Sequence, residues 1–351
     1  MNANTVVQNT WFVAGFSGEF EPRRLQGQVI AGKPLAMWRS PSGRVIALDD
    51  RCAHKKMALS KGKLLDNDVL ECPYHGFCYD VEGKCVRIPS QPDLPIPTRA
   101  RVKAYPVVEQ DGLVWVWPGD QERTGSLRPP RSPEISDPGW ERHNAPPTLV
   151  RANYRLLIEN LLDVSHFYPL HDGSLGDPEH AKIPVEVVEG ERDGNRFAES
   201  IRTAKSYRQP PALVDWLGYP VVDRVHTHAM LSPGMVRLEM RCAPPGALGT
   251  DQERGYVFYH LPTPVDGKSH LWRWSVCTRA GMKAGSQPSK SLVARIIETN
   301  PGVHAQDQWA MEAQQQAMEF SDDGFVEVHL RSDQALLAAR RIIQSLENPG
   351  A

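Results

Sequence analysis

The sequence predicts an α+β chain in two parts, and three observations carry that prediction. Residues 1–120 are a series of short apolar segments broken by Gly, Pro and Ser-Gly, the pattern of an antiparallel all-β domain. Residues 121–140 hold Arg-Pro-Pro-Arg-Ser-Pro and Asp-Pro-Gly, the composition of a linker. Residues 141–351 mix longer alternating segments with stretches of helical periodicity.

Composition excludes several function classes. The 351 residues carry 40 basic and 42 acidic side chains without a long basic run, so neither nucleic acid nor an anionic membrane surface is an expected partner. No apolar run is long enough to span a bilayer. The Met1-Asn-Ala-Asn-Thr start lacks the charged and apolar regions of a secretory signal, and six cysteines in such a chain make no disulfide scaffold. A cytoplasmic location is the expectation.

In the first part, Gln28–Gly32 and Pro34–Trp38 read as strands joined at Gly32-Lys33. Ser42-Gly43 turns the chain into Val45–Leu48, and Leu113–Trp117 closes the domain as an apolar strand. Between them lies Cys52-x-His54, then 17 residues, then Cys72-x-x-His75. Two thiolates and two imidazoles can hold zinc, and spacing alone leaves that open. The common zinc finger, however, puts its cysteines in one arm and its histidines in the other. One of each per arm suits a two-iron cluster, with both cysteines on one iron and both histidines on the other. This resembles the Rieske [2Fe-2S] motif, including Gly76 after the last ligand. Phe77 stands where tryptophan is common in that family, and Lys55 where arginine is frequent. Cys78 and Cys85 lie close behind, but a Cys₄ site would leave both histidines without a role, so these two read as core.

The second part opens with Asn153 to His166, which reads as a helix. Asn160, Asp163 and His166 are polar where a buried stripe takes apolar residues. Asp163 and His166, three apart, are neighbours on a helix, and a carboxylate beside a histidine can hold its ring for a metal. His171 lies five residues beyond His166, off its face of a regular helix, and Pro169 supplies the kink that lets the two converge. Further on, Val185–Val188, Met235–Met240, Tyr256–Leu261 and His270–Val276 alternate as strands, and Pro301–Met318 reads as a helix offering Asp307 and Glu312 as carboxylates. His226-x-His228 puts two rings on one strand face as lining or surface, with a second metal as the alternative. Residues from Ser332 read as a capped, packing helix.

A Rieske-type motif followed by Asn160-x-x-Asp163-x-x-His166-x₄-His171 resembles the oxygenase component of the Rieske non-haem iron oxygenases. The stretch Asp163-Val-Ser-His-Phe-Tyr-Pro-Leu-His171 is similar to the single-subunit branch with the vanillate-type O-demethylases. The resemblance implies a helix-grip fold for the second domain. It implies a [2Fe-2S] cluster on Cys52, His54, Cys72 and His75, and a mononuclear Fe(II) on His166, His171 and Asp307. The string around Gln306 matches the family's ligand segment and places the carboxylate at 307. It further implies O₂ as co-substrate, and NAD(P)H electrons arriving through a separate flavin and ferredoxin-type reductase, since the chain has no convincing G-x-G-x-x-G or plant-type ferredoxin run. A homotrimer is also implied, with Asp163 accepting hydrogen bonds from His166 and from a neighbouring chain's His75. The activity expected is monooxygenation, first of all oxidative O-demethylation of a methoxylated aromatic acid. Ring dihydroxylation or C–H hydroxylation of another small molecule is the alternative, and a Rieske electron carrier with an inert second domain the distant one.

Overall fold

The computed structural model describes residues 5–125, 127–172, 174–320 and 324–347. Its first strands are β1 (Phe12–Phe16), β2 (Gln26–Ile30), β3 (Lys33–Arg39), β4 (Val45–Asp49), β5 (Lys63–Leu64), β6 (Leu70–Glu71), β7 (Cys78–Tyr79), β8 (Cys85–Arg87), β9 (Val107–Gln110) and β10 (Leu113–Val116). They form three small sheets in the orders β1-β10-β9, β2-β3-β4 and β5-β6-β7-β8. The β2–β3 turn is made by Ala31 and Gly32, with φ of 51° and 74°. Two successive positive φ values match the twist of a tight hairpin, which explains the glycine there.

The polypeptide between 121 and 139 is not a free linker. Its prolines set an irregular path with short 3₁₀ turns at Gln121–Thr124 and Pro133–Ile135. Glu134 anchors it, accepting hydrogen bonds from the Tyr259 hydroxyl at 2.5 Å and from Arg237 at 2.8 Å.

Beyond it lies one large antiparallel sheet. Its strands are β11 (Trp140–Asn144), β12 (Thr148–Val150), β13 (Glu186–Arg192), β14 (Asn195–Arg208), β15 (Val221–Ser232), β16 (Met235–Ala243), β17 (Arg254–Asp266) and β18 (Ser269–Arg279). Their order is β11-β18-β17-β16-β15-β14-β13, with β12 also on β18. The helices are α1 (Tyr154–Leu162), α2 (Phe167–Leu170), α3 (Pro178–Ala181), α4 (Pro211–Leu217), α5 (Leu292–Thr299), α6 (Pro301–Ala317) and α7 (Gln334–Glu347).

Alternation along these strands feeds two cores, because successive side chains leave a strand on opposite faces. Met230, Leu238, Met240 and Phe258 pack with Leu157, Leu161 and Ile342 from the helices. Leu231, Val257, Tyr259 and Leu261 face the other way and pack on Trp11, Val13, Trp115 and Trp117. The β1-β10-β9 sheet is thereby sealed against the large sheet by a continuous apolar interface. The side chains of α1 are buried over most of its circumference, because it lies between the sheet, α6 and α7.

Candidate functional site

Two sets of polar residues stand apart from these cores. The first sits at the tip of the N-terminal domain, on two loops of the same construction. Cys52 N–H bonds Met57 O and Lys56 N–H bonds Cys52 O; Cys72 N–H bonds Phe77 O and Gly76 N–H bonds Cys72 O. In each loop the residue four beyond the cysteine has positive φ, 56° at Lys56 and 69° at Gly76. At Gly76 glycine is needed twice over, since a Cβ would also lie 2.8 Å from Pro89 Cγ. Both thiols are buried, and both imidazoles stand exposed, with ring centroids 4.4 Å apart. Buried sulfurs on one side and exposed rings on the other fit a cluster whose two irons differ in ligands. Phe77 stacks on His54 at 5.0 Å between ring centroids and an interplanar angle of 9°. Tyr79, which the motif does not single out, accepts the Ala53 N–H at 3.1 Å and lies 3.1 Å from Cys52 Sγ, to which its hydroxyl would donate once the sulfur is a thiolate ligand. Cys78 and Cys85 are buried in the core behind.

The second set lies where α1 ends. The expected helix to His166 stops earlier, at Leu162, because Asp163 is extended and its carboxylate caps the next turn, accepting from Ser165 N–H at 2.8 Å and Ser165 Oγ at 2.9 Å. His166 ends a 3₁₀ turn and His171 closes α2, so the break at Asp163, more than Pro169, brings the rings to 5.1 Å between centroids. The carboxylate of Asp163 does not take the His166 proton as expected. The Asp163 backbone carbonyl does, at 2.5 Å from Nδ1, because the tight turn folds it beneath the ring. His171 Nδ1 donates to Gln306 Oε1 at 2.9 Å. With both Nδ1 atoms taken up, both Nε2 atoms are buried and turn toward the Asp307 carboxylate, where each can serve a metal once it carries no proton.

Asp307 completes the site from α6, on the buried stripe Val303, Asp307, Met311 and Gln315. Its Oδ1 lies 3.2 Å from His171 Nε2 and 3.5 Å from His166 Nε2, and accepts from Asn160 Nδ2 at 3.1 Å. The three donors lie within 4.8 Å of one another, close enough to share one ion. Burial alone would raise the Asp307 carboxyl; the two imidazoles override it and hold it well below the usual range. Burial pulls His171 down, but the Asp307 hydrogen bond and charge leave it above its ordinary 6.5. A metal ion bound at His171 Nε2 would take the place of its proton, so metal and proton compete there. Glu312 accepts from Arg151 N–H at 3.0 Å and Gln308 at 3.0 Å and takes no part.

The triad opens on a cavity of about 50 Å³, measured as space for the centre of a water-sized sphere, with Phe167, Trp216, Tyr256 and Phe258 among its walls. That volume holds a few waters. His226 and His228 are part of this wall, bonded to each other.

A buried His₂-carboxylate face beside a mostly apolar cavity, carried on the same chain as a paired Cys-His tip, defines an iron oxygenase with two metal centres. Residues 10–106 match the Rieske [2Fe-2S] domain and residues 150–348 the vanillate O-demethylase oxygenase C-terminal domain. The toluene-4-sulfonate monooxygenase system iron-sulfur subunit of Comamonas testosteroni is 33% identical over 76% of this chain and 77% of its own. The oxygenase component of dicamba O-demethylase from Stenotrophomonas maltophilia is 37% identical over 53% of this chain and 54% of its own. The crystal structure of dicamba monooxygenase bound to 3,6-dichlorosalicylic acid superposes with a TM-score of 0.87 at 26% identity, covering 98% of each chain. The chain belongs to the Rieske non-haem iron oxygenases, in the branch that carries the vanillate O-demethylase catalytic domain. It is an oxidoreductase with a Rieske cluster and a mononuclear iron as cofactors.

Proposed function

We propose that this chain is the terminal oxygenase of a multicomponent system and carries out oxidative O-demethylation of a small methoxylated aromatic compound. The observation that carries the reading is the meeting of the His166, His171 and Asp307 donors at the head of the cavity. Relatives whose names specify vanillate and dicamba O-demethylation support the choice of reaction. The balance is one methyl ether, one O₂, two electrons and two protons to one phenol, one formaldehyde and one water.

In this reading Cys52, Cys72, His54 and His75 hold the cluster, and His166, His171 and Asp307 hold Fe(II). When bound, these centres supply single electrons and O₂ activation. The chain supplies the rest. The Asp163 carbonyl and Gln306 fix both ring orientations, Asn160 turns the Asp307 oxygen toward the rings, and the aromatic wall keeps bulk water out. Since the cavity is tight, a ring-sized substrate enters by displacing wall side chains.

Electrons come from NAD(P)H through a separate flavin and ferredoxin-type reductase, in line with the "oxygenase component" in a relative's name. We assign the assembly as a cytoplasmic homotrimer in which one chain's exposed His54 and His75 meet the next chain near Asp163. Exposed apolar side chains on the catalytic part, Trp309, Phe320, Phe325, Val326 and Val328, support such a contact. No helix among the described residues is long and apolar enough to cross a membrane.

The test supplies the purified chain with a flavin and ferredoxin-type reductase, NADH and a methoxyarene panel, and measures formaldehyde against O₂ consumed. Equal amounts are expected. His166→Ala and His171→Ala should abolish turnover while the visible spectrum of the cluster persists. Full turnover by both variants would remove the site assignment.

A further inference from the structure

The cavity beside the triad, about 50 Å³, is too small for an aromatic ring, since a cavity of about 150 Å³ is what holds benzene. Part of its wall therefore moves when a ring enters. Most of the wall is fixed. The large sheet is sealed on the N-terminal sheet, α1 lies between sheet, α6 and α7, and α6 carries Asp307. Helix α4, with Trp216, is tied to α5 by Arg295 and Asp215 at 2.6 Å and by Trp216 Nε1 donating to Thr299 Oγ1 at 2.8 Å. What remains is the strap of residues 174–183, which follows His171, contains α3 and puts Leu175 on the cavity.

The strap starts on a metal ligand and is held to the sheet by polar contacts. His171 O accepts from Ser174 N–H at 3.1 Å, Ser174 Oγ at 3.0 Å and Gly176 N–H at 2.9 Å. Further along, Asp177 accepts from the Tyr207 hydroxyl, and Arg202 donates to His180 O at 3.3 Å. Tyr207 reaches Asp177 because β14 bulges after Ala204, with Ser206 at φ 47°, which turns Tyr207 onto the buried face that Arg202 and Ala204 share. The His180 ring stacks on Phe167, 5.8 Å between centroids at 19°. Beneath this strap Arg202 and its neighbour Arg224 are only 5% and 4% exposed. Arg224 stacks on Tyr207 with its guanidinium 4.5 Å from the ring centroid, and Arg202 Nε has no partner. Among the described residues neither arginine forms an ion pair. The carboxylates that act on them from further off, Asp163 and Asp177, are engaged with Ser165 and with Tyr207. Burial holds both guanidiniums below their ordinary value. A buried charge without a close partner is costly, so water admitted under the strap offsets the contacts that opening breaks.

We propose that residues 174–183 are the lid through which ring-sized molecules reach the iron, latched by the hydrogen bond from Tyr207 to Asp177 and poised to open because Arg202 is buried beneath it without an ion-pair partner. When the lid swings out, Leu175 leaves the wall and Phe167 loses the ring stacked on it, so the cavity widens. This goes beyond the demethylation reading, since any aromatic substrate of the oxygenase meets the same wall.

The test uses anaerobic holoenzyme and two rates. One is capture of the mononuclear Fe(II) by 2,2′-bipyridine, a two-ring molecule, with the cluster absorbance as control. The other is amide hydrogen exchange of residues 174–183. Tyr207→Phe removes the latch and keeps the ring under Arg224, so capture and strap exchange should both quicken roughly tenfold while exchange in α1 and α6 stays the same. Arg202→Met removes the buried charge and keeps the length of the side chain. Both rates should then fall by roughly fivefold or more, whereas an arginine that merely held the strap in place would make them rise on its loss. Unchanged rates in Tyr207→Phe, or rates that do not fall in Arg202→Met, overturn the proposal. If a variant does not fold, the unaltered protein decides: its strap amides should exchange roughly tenfold or more faster than those of α1 and α6, and equal protection overturns the lid. Neither rate depends on which substrate the enzyme oxidises, so failure of the demethylation reading leaves this test intact.

Discussion

Replacing Gln306 by Leu removes the acceptor that holds the His171 ring by its Nδ1–H at 2.9 Å. Leucine keeps a similar reach, so what changes is the hydrogen bond. A buried donor left without a partner costs about 1–3 kcal/mol. Gln306 is itself exposed, and water can take part of the vacated position, so the lower end applies. About 1.4 kcal/mol corresponds to tenfold in the binding constant, which agrees with the 10–100-fold typical when the outer partner of a metal-bound histidine is lost. The expected result is therefore roughly a tenfold weaker Fe(II) affinity, with the ring free to turn. The assay is anaerobic titration against a competing chelator, with the cluster absorbance as internal standard. Gln306→Glu keeps an acceptor and adds negative charge, so it should hold iron at least as tightly as the unaltered chain. If the Gln306→Leu and Gln306→Glu variants bound iron equally, the reasoning about this hydrogen bond would be wrong.

Three further outcomes follow from the same geometry. His171 is raised by Asp307, so in iron-free protein its contribution to stability is full below its unfolded value and fades as pH rises through the raised one. Asp307 is lowered, so its contribution is present above its unfolded value of 3.8 and is lost only in strong acid. Iron-free protein should thus lose melting temperature as pH rises above 6.5 while Fe(II) affinity increases, because the metal needs the bare Nε2; opposite slopes in both would contradict the proton assignment. Asp163→Asn preserves a carbonyl acceptor for Ser165 and the backbone contact to His166, so iron should still load. If the carboxylate links chains, single-turnover reoxidation of a pre-reduced cluster should slow in that variant, and a normal rate would confine Asp163 to shaping its turn. Tyr79→Phe deletes the hydrogen bond to Cys52 Sγ. A bond worth about 1 kcal/mol corresponds to a fall of roughly 40 mV in the one-electron potential, read by redox titration, and an unchanged potential would show that the hydroxyl does not reach the sulfur in the loaded cluster.

Much of the architecture was legible in the residues. Alternation marked β16, β17 and β18 because each has one face on the helices and the other on the N-terminal sheet. The paired Cys-His spacing was legible because two loops of one construction repeat it. The choice of Asp307 over Glu312 came from the resemblance, and its physical basis appears only in three dimensions, where helix phase puts Asp307 on the buried stripe and leaves Glu312 to cap the Arg151 amide. Other features had no local signal. Asp163 looked like a helical neighbour of His166, but an aspartate that caps a following turn ends the helix it sits on, and this exchanges its carboxylate for its carbonyl at the ring. Gln306 and Tyr79 gained their roles from contacts 135 and 27 residues away in sequence. Proline content suggested a linker, and nothing local showed that Glu134 ties that segment to Arg237 and Tyr259. The His226-x-His228 spacing was visible, but not the contacts of His228 with the Leu161 carbonyl and with His226.

The most direct measurement of the central claim is anomalous scattering at the iron edge from crystals of the iron-loaded chain. The account predicts one isolated iron peak bounded by His166 Nε2, His171 Nε2 and Asp307, and a separate pair of iron peaks between the Cys52 and Cys72 sulfurs and the His54 and His75 rings. A loaded, active enzyme whose isolated peak lay at other ligands, or whose triad stayed without iron, would contradict it.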